Sequence, residues 1–495
     1  MTGGAVPADE RFRRLARDRP DEPALIVDGG PGAPDVVVSR AELDTASADL
    51  AARLAVPAAA APRPPVVVID AANDARTVIV FAACMRARLP FLPVDPLMPE
   101  PESARLLEEL SAHRSAVRPA DAASARAPGG GRPVPGATGG HLLATGGSSG
   151  APRLIEHPRP LDHDPARVPN AMLRAVGWRS GQRQLIAGPL HHAAPFMCCW
   201  EGLLNGDTLV VLPRFDPRRM LRAIDEHAVQ WAQLTPVHLQ WGLLAARRSS
   251  FSLRSLNAVM HTAAPCPAEV KRAWIDLLGP TRLYEVYGAT EAIGTTVLRG
   301  DEWLERPGSV GRGFCTQIRI LDAGGRLVPA GVEGEVFMRR TAGRDSVGRE
   351  LGAPSGGAPS SGLRWTVDGF AGVGDVGRLD ADGYLYLAAR RHDMVIVGGG
   401  NVYPAEVEGA LAEHPDILDV AVAGRADEQL GGRLVALVVK RPGSTLTEAA
   451  VTEHARGLLA PHKVPWTVRF VAELPRTEAG KLHRRRLAEE EVTGV

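Results

Sequence analysis

The sequence has few cysteines, few aromatic residues, no excess of either charge and no long apolar run. Five cysteines, an odd number with Cys198 and Cys199 adjacent, make no disulfide framework and are expected as buried thiols in a reducing compartment. Lys plus Arg and Asp plus Glu both number 57, so no net charge draws the chain to nucleic acid or to an anionic membrane. No apolar stretch approaches the length of a membrane span. The opening MTGGAVPADERFRRLARD lacks the apolar core of a signal peptide, and a cytoplasmic location is the expectation. His191, His192, His238 and His261 match no zinc spacing and are read as single core or pocket histidines. A chain of 495 residues, 45% hydrophobic and 23% charged, is left as a soluble enzyme of two or three domains.

What is present begins with TGGSSGAPR, Thr145 to Arg153, directly after the apolar Leu142–Ala144. Glycines let consecutive backbone N–H groups turn toward one anion, hydroxyls add donors, and Arg153 adds charge. The loop is not of the Walker type, because no Gly-Lys-Ser/Thr follows at the required spacing. By itself it reads equally as a Gly/Ser linker. Further parts of a nucleotide site decide between the two.

Such parts follow in order. In YEVYGATEAIG, Tyr284 to Gly294, Tyr287 offers a flat face to a purine and Gly288 permits close backbone approach. Thr290 can donate to a phosphate and Glu291 can hold magnesium. GDVGRLDADGYLYL, from Gly374, presents Asp375, a carboxylate suited to two ribose hydroxyls. ARRHDMVIVGGGNVYPAEVE, Ala389 to Glu408, and PRTEAGKLHRRRL, Pro475 to Leu487, complete the set, with Lys481 after a glycine.

Around these motifs, apolar strand-like runs recur at 66–70, 89–99, 185–190, 208–213, 231–236 and 257–264, separated by helical stretches such as 77–85, 217–228 and 268–279. Alternation of this kind predicts parallel α/β layers. Residues 118–140 and 341–362, rich in Gly, Pro, Ala or Ser, read as connections. Beyond 404 the pattern changes to helix, two strands, helix and strand, a small α+β unit.

In these motifs the sequence resembles the adenylate-forming superfamily of acyl-CoA synthetases, luciferases and adenylation domains. The likeness covers nearly the whole chain and is weakest before Pro65 and between Arg340 and Gly362. It is nearest to acid–CoA ligases of the fatty-acid and bile-acid type, carried by GPLHHAAPF (188–196), HTAAPCP (261–267), GDEWLERPGSVGR (300–312) and VGGGNVYPAEVE (397–408). The resemblance implies an α/β protein. Its large N-terminal domain, 1–389, is built of layered α/β subdomains with a small β-barrel-like part. A hinge follows at 390–393, and then a small mobile α+β C-terminal domain, 394–495, carrying Lys481.

The resemblance also implies roles. Thr145, Gly146, Gly147, Ser148, Ser149, Gly150 and Arg153 would hold the β- and γ-phosphates of ATP. Ala263, Ala264 and Pro265 would face Tyr287 across the purine slot. Thr290 would meet the α-phosphate, Glu291 a Mg2+ ion, Asp375 the ribose, and Arg390 the ribose or a phosphate. Lys481 would bridge the attacking carboxylate and the α-phosphate, so that Lys481, Thr290 and His192 form the catalytic set. His192, Phe196, Val237, His238 and Gly288 would line the acid pocket, as would Pro195 and Thr235. Gly399 and Gly400 would border the path of the coenzyme A arm.

Plainer readings stand beside these: Asp375 as a turn residue, Glu291 as an acid at a helix start, and Lys481 as a solvated lysine beside Arg484, Arg485 and Arg486. Three departures from the family pattern stand out. Arg153 replaces the usual lysine, a fork in place of a point charge. Arg390 follows Ala389, and the hinge position falls on His392. Imidazoles with little bulky aliphatic lining favour a mid-sized, partly polar or aromatic acid over a long fatty chain. The expected reaction is ATP-dependent adenylation followed by transfer to coenzyme A. The alternative is another acceptor or acid: a carrier-protein thiol, an amine, or nitrite activated for an aryl amine. A homodimer stays open.

Overall fold

The computed structural model describes residues 5–59, 64–118, 139–146, 152–247, 250–342, 347–351, 363–390, 395–397, 400–402, 404–427, 431–476 and 482. Strands Pro23–Val27, Thr208–Val211, Arg183–Ile186, Trp231–Leu234, Ala258–His261 and Leu283–Gly288 lie side by side in that order, and every pairing between them is parallel. Their residue types follow from burial on both faces. In Ala258–His261, Ala258 and Met260 enter one core while Val259 enters a second on the opposite face. A strand covered twice reads as an unbroken apolar run, which is the pattern seen in the sequence.

Helices fill the two faces. Pro217–Glu226, capped by Asp216 through the Arg219 N–H (2.8 Å), lies with Pro236–Ala246 and Ala268–Leu278 on one side, where Met220, Leu239 and Trp274 meet Val259 and Leu234. On the other side, Ala75–Ala87 and Ala193–Asn205 contribute Phe81, Phe196 and Leu203 to the core that holds Met260 and Trp231. After Leu283–Gly288 the pairing turns antiparallel through Thr295–Arg299 and Ser309–Gly313. It continues into Leu385–Arg390, Asp375–Leu379 and Gly334–Arg340, with Thr316–Leu321 beside the last, within one fifteen-stranded sheet.

A second, six-stranded sheet sets Val66–Asp70, Phe91–Val94 and His141–Gly146 in parallel, and Pro152–His157 returns antiparallel to His141–Gly146. The 341–362 connection holds a feature that its composition does not announce. Arg349–Glu350 pairs with Glu156 and Ile155 as an edge strand, and two residues are too few for a periodicity to register. The small domain is a three-stranded sheet, Ile417–Asp427, Gly431–Lys440 and Thr467–Phe470. Pro404–Ala412 and Glu448–Leu458 pack on one face through Val407, Leu411, Val451 and Ala455. The chain is therefore the expected α/β architecture, a large N-terminal domain and a small C-terminal one. Residues 391–394, with His392 at the expected hinge, lie outside the described residues. Among the described residues no helix is long and apolar enough to cross a membrane.

One buried carboxylate gives the core a pH dependence. Glu201, 1% exposed, accepts hydrogen bonds from Asn170 Nδ2 (3.0 Å) and Asn205 Nδ2 (3.2 Å), and burial pushes its carboxyl up to about 7. A group whose folded pKa is raised stabilises fully below its unfolded value and loses that contribution as pH rises through the folded one. Glu201→Gln is therefore expected to gain on the natural protein between about pH 4.5 and 7, by up to about 3 kcal/mol, and to hold that lead above. Denaturant midpoints across pH check this, and a lead that does not change with pH contradicts it.

Candidate active site

Part of the proposed site lies at the carboxyl ends of the parallel strands, the edge where open α/β sheets receive ligands. Ala258–His261 and Leu283–Gly288 are neighbours in register, so the loops that leave them, 262–267 and 289–292, emerge side by side. The first carries Ala263, Ala264 and Pro265; the second carries Thr290 and Glu291. Ala263 is held at φ 84°, a left-handed conformation that disfavours any residue with a Cβ, and Ala292 beside Glu291 is at φ 54°. Two strained alanines in adjacent loops of one candidate site fit the tendency of binding sites to store backbone strain. Ala263→Gly is expected to stabilise the protein by about 0.5–1 kcal/mol net, since glycine's freedom in the unfolded chain offsets part of the relief. A lower denaturation midpoint in that variant contradicts the strain.

Tyr287 and Asp375 are brought together from 88 positions apart. The Tyr287 hydroxyl donates to Asp375 Oδ2 at 2.5 Å, and Asp375 is only 4% exposed. Asp375 opens its strand directly opposite Arg390, the last residue of the neighbouring strand, so the ladder register places the Arg390 backbone beside it. Gly288 pairs with Thr295 at the mouth of the loop, where an added Cβ would lie 3.2 Å from the Gly294 carbonyl oxygen. Glu291 is buried, and its carbonyl accepts from Gly348 N–H at 2.8 Å, which ties the 347–351 segment over this loop.

Of the residues proposed for the phosphates, Thr145 and Gly146 close the His141–Gly146/Pro152–His157 ladder, Thr145 opposite Arg153 and Gly146 opposite Pro152. The Thr145 hydroxyl lies 3.5 Å from the Arg153 carbonyl oxygen. Gly147, Ser148, Ser149 and Gly150 lie outside the described residues, as do Gly399 and Lys481. Gly400 pairs with Val397 in a short hairpin. Arg476 and Leu482, which flank the lysine segment, meet in an antiparallel bridge, and Arg476 forks the Asp419 carboxylate at 2.8 and 2.7 Å.

Among the residues proposed for the acid, His192 stands at the N-cap position of the Ala193–Asn205 helix without a side-chain cap, and its ring is 4.3 Å from that of His191. Burial lowers the His191 imidazole below its ordinary range, with Asp95, 3.9 Å from Nε2, working against the shift. Val237 is half-buried in the first turn of Pro236–Ala246. Two candidates for this pocket are placed in packing roles. Phe196, 1% exposed, meets Phe81, Phe91 and His141 in an aromatic cluster at 5.0–5.6 Å between centroids. His238 is buried, closes the capping box of its helix with Thr235 and stacks on Phe215 at 4.0 Å. Asn73 was not marked by any motif; an Asn-Asp dipeptide between a strand and a helix is its one local signal.

Among the described residues no group of three or more His, Cys, Asp or Glu is placed to hold a metal ion. A single buried carboxylate, Glu291, suits magnesium that arrives with nucleotide phosphates, because Mg2+ takes few protein ligands and keeps its substrate oxygens.

An α/β fold with these loops at the carboxyl edge of its central sheet is suited to a nucleotide-using enzyme. Comparison with known proteins agrees. Residues 142–343 match the AMP-binding enzyme family, and residues 406–481 match the AMP-binding enzyme C-terminal domain. Feruloyl-CoA synthase from Amycolatopsis sp. is 34% identical over 346 residues, 69% of this chain and 67% of that protein. Indoleacetate–CoA ligase from Aromatoleum aromaticum is 34% identical over 290 residues, 57% of this chain and 54% of that one. ATP-bound MatB from Rhodopseudomonas palustris shares the fold, with a TM-score of 0.79 at 23% identity over 99% of both chains. Amide bond synthetase McbA from Marinactinospora thermotolerans superposes with a TM-score of 0.76 at 26% identity, over 98% of this chain and 100% of that one. The chain belongs to the AMP-binding enzyme family and is an AMP-forming ligase of the acid–CoA ligase type.

Proposed function

We propose that the enzyme joins a mid-sized aromatic or partly polar carboxylic acid to coenzyme A through an acyl-adenylate. In the first step a carboxylate oxygen attacks the α-phosphorus of ATP, and pyrophosphate leaves. In the second, the thiol sulfur of coenzyme A attacks the acyl carbon, loses its proton, and AMP leaves. Negative charge gathers at the α-phosphorus in the first step, so donors and cations placed beforehand lower its barrier. Tyr287 and Asp375 hold the nucleoside, Asp375 accepting from the ribose hydroxyls. Thr145 and Arg153 serve the outer phosphates, Thr290 the α-phosphate, and Lys481 the attacking carboxylate. Magnesium, held by Glu291, neutralises phosphate charge when bound. Residues 1–389 are the binding domain, 390–393 the hinge, and 394–495 the mobile part.

The observation that carries this reading is the Tyr287–Asp375 contact beside the Arg390 backbone, which brings three separate motifs together and supports a nucleoside site there. The aryl acids named in two of the relatives, feruloyl and indoleacetate, support the aromatic substrate class. The test is mass spectrometry of reactions with ATP, Mg2+ and a panel of cinnamic, arylacetic and fatty acids, with and without coenzyme A. Aryl-CoA thioesters and AMP are the expected products. AMP formation that requires nitrite, an amine or a carrier protein in place of coenzyme A overturns the assignment of the acceptor.

A further inference from the structure

Asn73 lies three residues beyond the Val66–Asp70 strand of the six-stranded sheet, yet its carboxamide is spent on the other sheet. Nδ2 donates to the carbonyl oxygens of Gly188 (2.9 Å) and Leu212 (3.0 Å), and Oδ1 accepts from the Leu190 N–H (2.9 Å). Gly188 and Leu212 each lie just past one of two adjacent parallel strands, Arg183–Ile186 and Thr208–Val211. The side chain is 7% exposed, so each of these backbone groups would lose its partner in a dry environment if the amide were removed. Two donors and one acceptor on one short planar group are what asparagine supplies, and aspartate supplies only acceptors.

The clamped turn leads straight into His191 and His192. It has little freedom to be held another way, because a Cβ on Gly188 would lie 2.7 Å from Pro195 Cγ. The neighbouring Asp74 does separate work. It caps the Ala75–Ala87 helix through the Thr77 N–H at 2.7 Å, and Phe81 of that helix meets Phe196 edge-on at 5.2 Å.

We propose that Asn73 is a positioning residue for the acid side of the reaction, holding the Gly188–Leu190 turn so that His191 and His192 keep their place at the acid. The inference rests on the assignment of the 188–196 segment to the acid pocket. A shift of the turn should tell on the acid and spare ATP, whose contacts come from other strands.

The experiment measures KM for acid and for ATP, with denaturation midpoints, in Asn73→Ala, Asn73→Asp, Asp74→Ala and His192→Ala. Both Asn73 variants are expected to raise the acid KM or lower kcat/KM for the acid by roughly 10–100-fold, with the ATP KM unchanged. Asp74→Ala, which removes only the helix cap, should lower the midpoint and leave the acid KM alone. That contrast separates positioning from loss of stability. Asn73 variants with an unchanged acid KM, or with acid and ATP KM rising together, overturn the role. His192→Ala with an unchanged acid KM overturns the pocket assignment itself, and the inference with it.

Discussion

Replacing Lys481 with alanine is expected to lower acid-dependent AMP release by roughly 10²–10³, the loss that follows removal of one preplaced cation or donor from a centre of developing negative charge. Thioester formation from a supplied acyl-adenylate should fall far less, since the α-phosphorus is no longer under attack. The described residues on either side of the lysine segment have defined partners. Arg476 before it forks the Asp419 carboxylate, and Leu482 after it packs with Leu418, Leu437 and Leu474 on the face of the small domain's sheet that also meets Leu244. Asp419, Leu418, Leu437 and Leu474 belong to the small domain, with which the proposed mechanism moves the lysine. Rapid-quench measurement of the two half-reactions checks the prediction, and equal losses in both contradict it.

Asp375→Ala carries the second large effect. The substitution removes the acceptor proposed for the ribose hydroxyls and leaves the Tyr287 hydroxyl without the carboxylate it meets at 2.5 Å. Hydrogen bonds to a buried charged group are each worth about 1.5–3 kcal/mol, which corresponds to a rise in the ATP KM of roughly 10–100-fold. The acid KM should change little. Tyr287→Phe keeps the carboxylate and the aromatic face, so its loss should be smaller. An ATP KM within the natural range for Asp375→Ala would mean that the aspartate only secures Tyr287.

Much of this arrangement was legible before any coordinates. The runs around Val66–Asp70, Thr208–Val211 and Trp231–Leu234 are apolar on both faces, and a parallel sheet between helices is the one way to bury them all. The TGGSSG stretch reads by itself equally as a linker, and it is the YGATE segment and the motifs after it that turn the reading toward a nucleotide. What the side chains in these motifs pack against was not legible from residue type. Phe196 and His238 sit in pocket-like motifs, but the former completes an aromatic cluster with Phe81 and Phe91 and the latter caps its own helix. Asn73 was silent for another reason. Its partners are backbone groups 115 to 139 positions away, and backbone groups carry no residue identity. The Tyr287–Asp375 contact spans 88 positions and depends on the antiparallel strands after Gly288, whose order periodicity alone does not give.

The central claim is that ATP is opened at its α-phosphorus by the acid. It is tested most directly by the exchange of labelled pyrophosphate into ATP, with Mg2+ and acid present and coenzyme A left out. The site described here predicts exchange that depends on the acid, with AMP and no ADP when coenzyme A is then added. Turnover of the acid that yields ADP and phosphate, with no exchange of pyrophosphate into ATP, would contradict it.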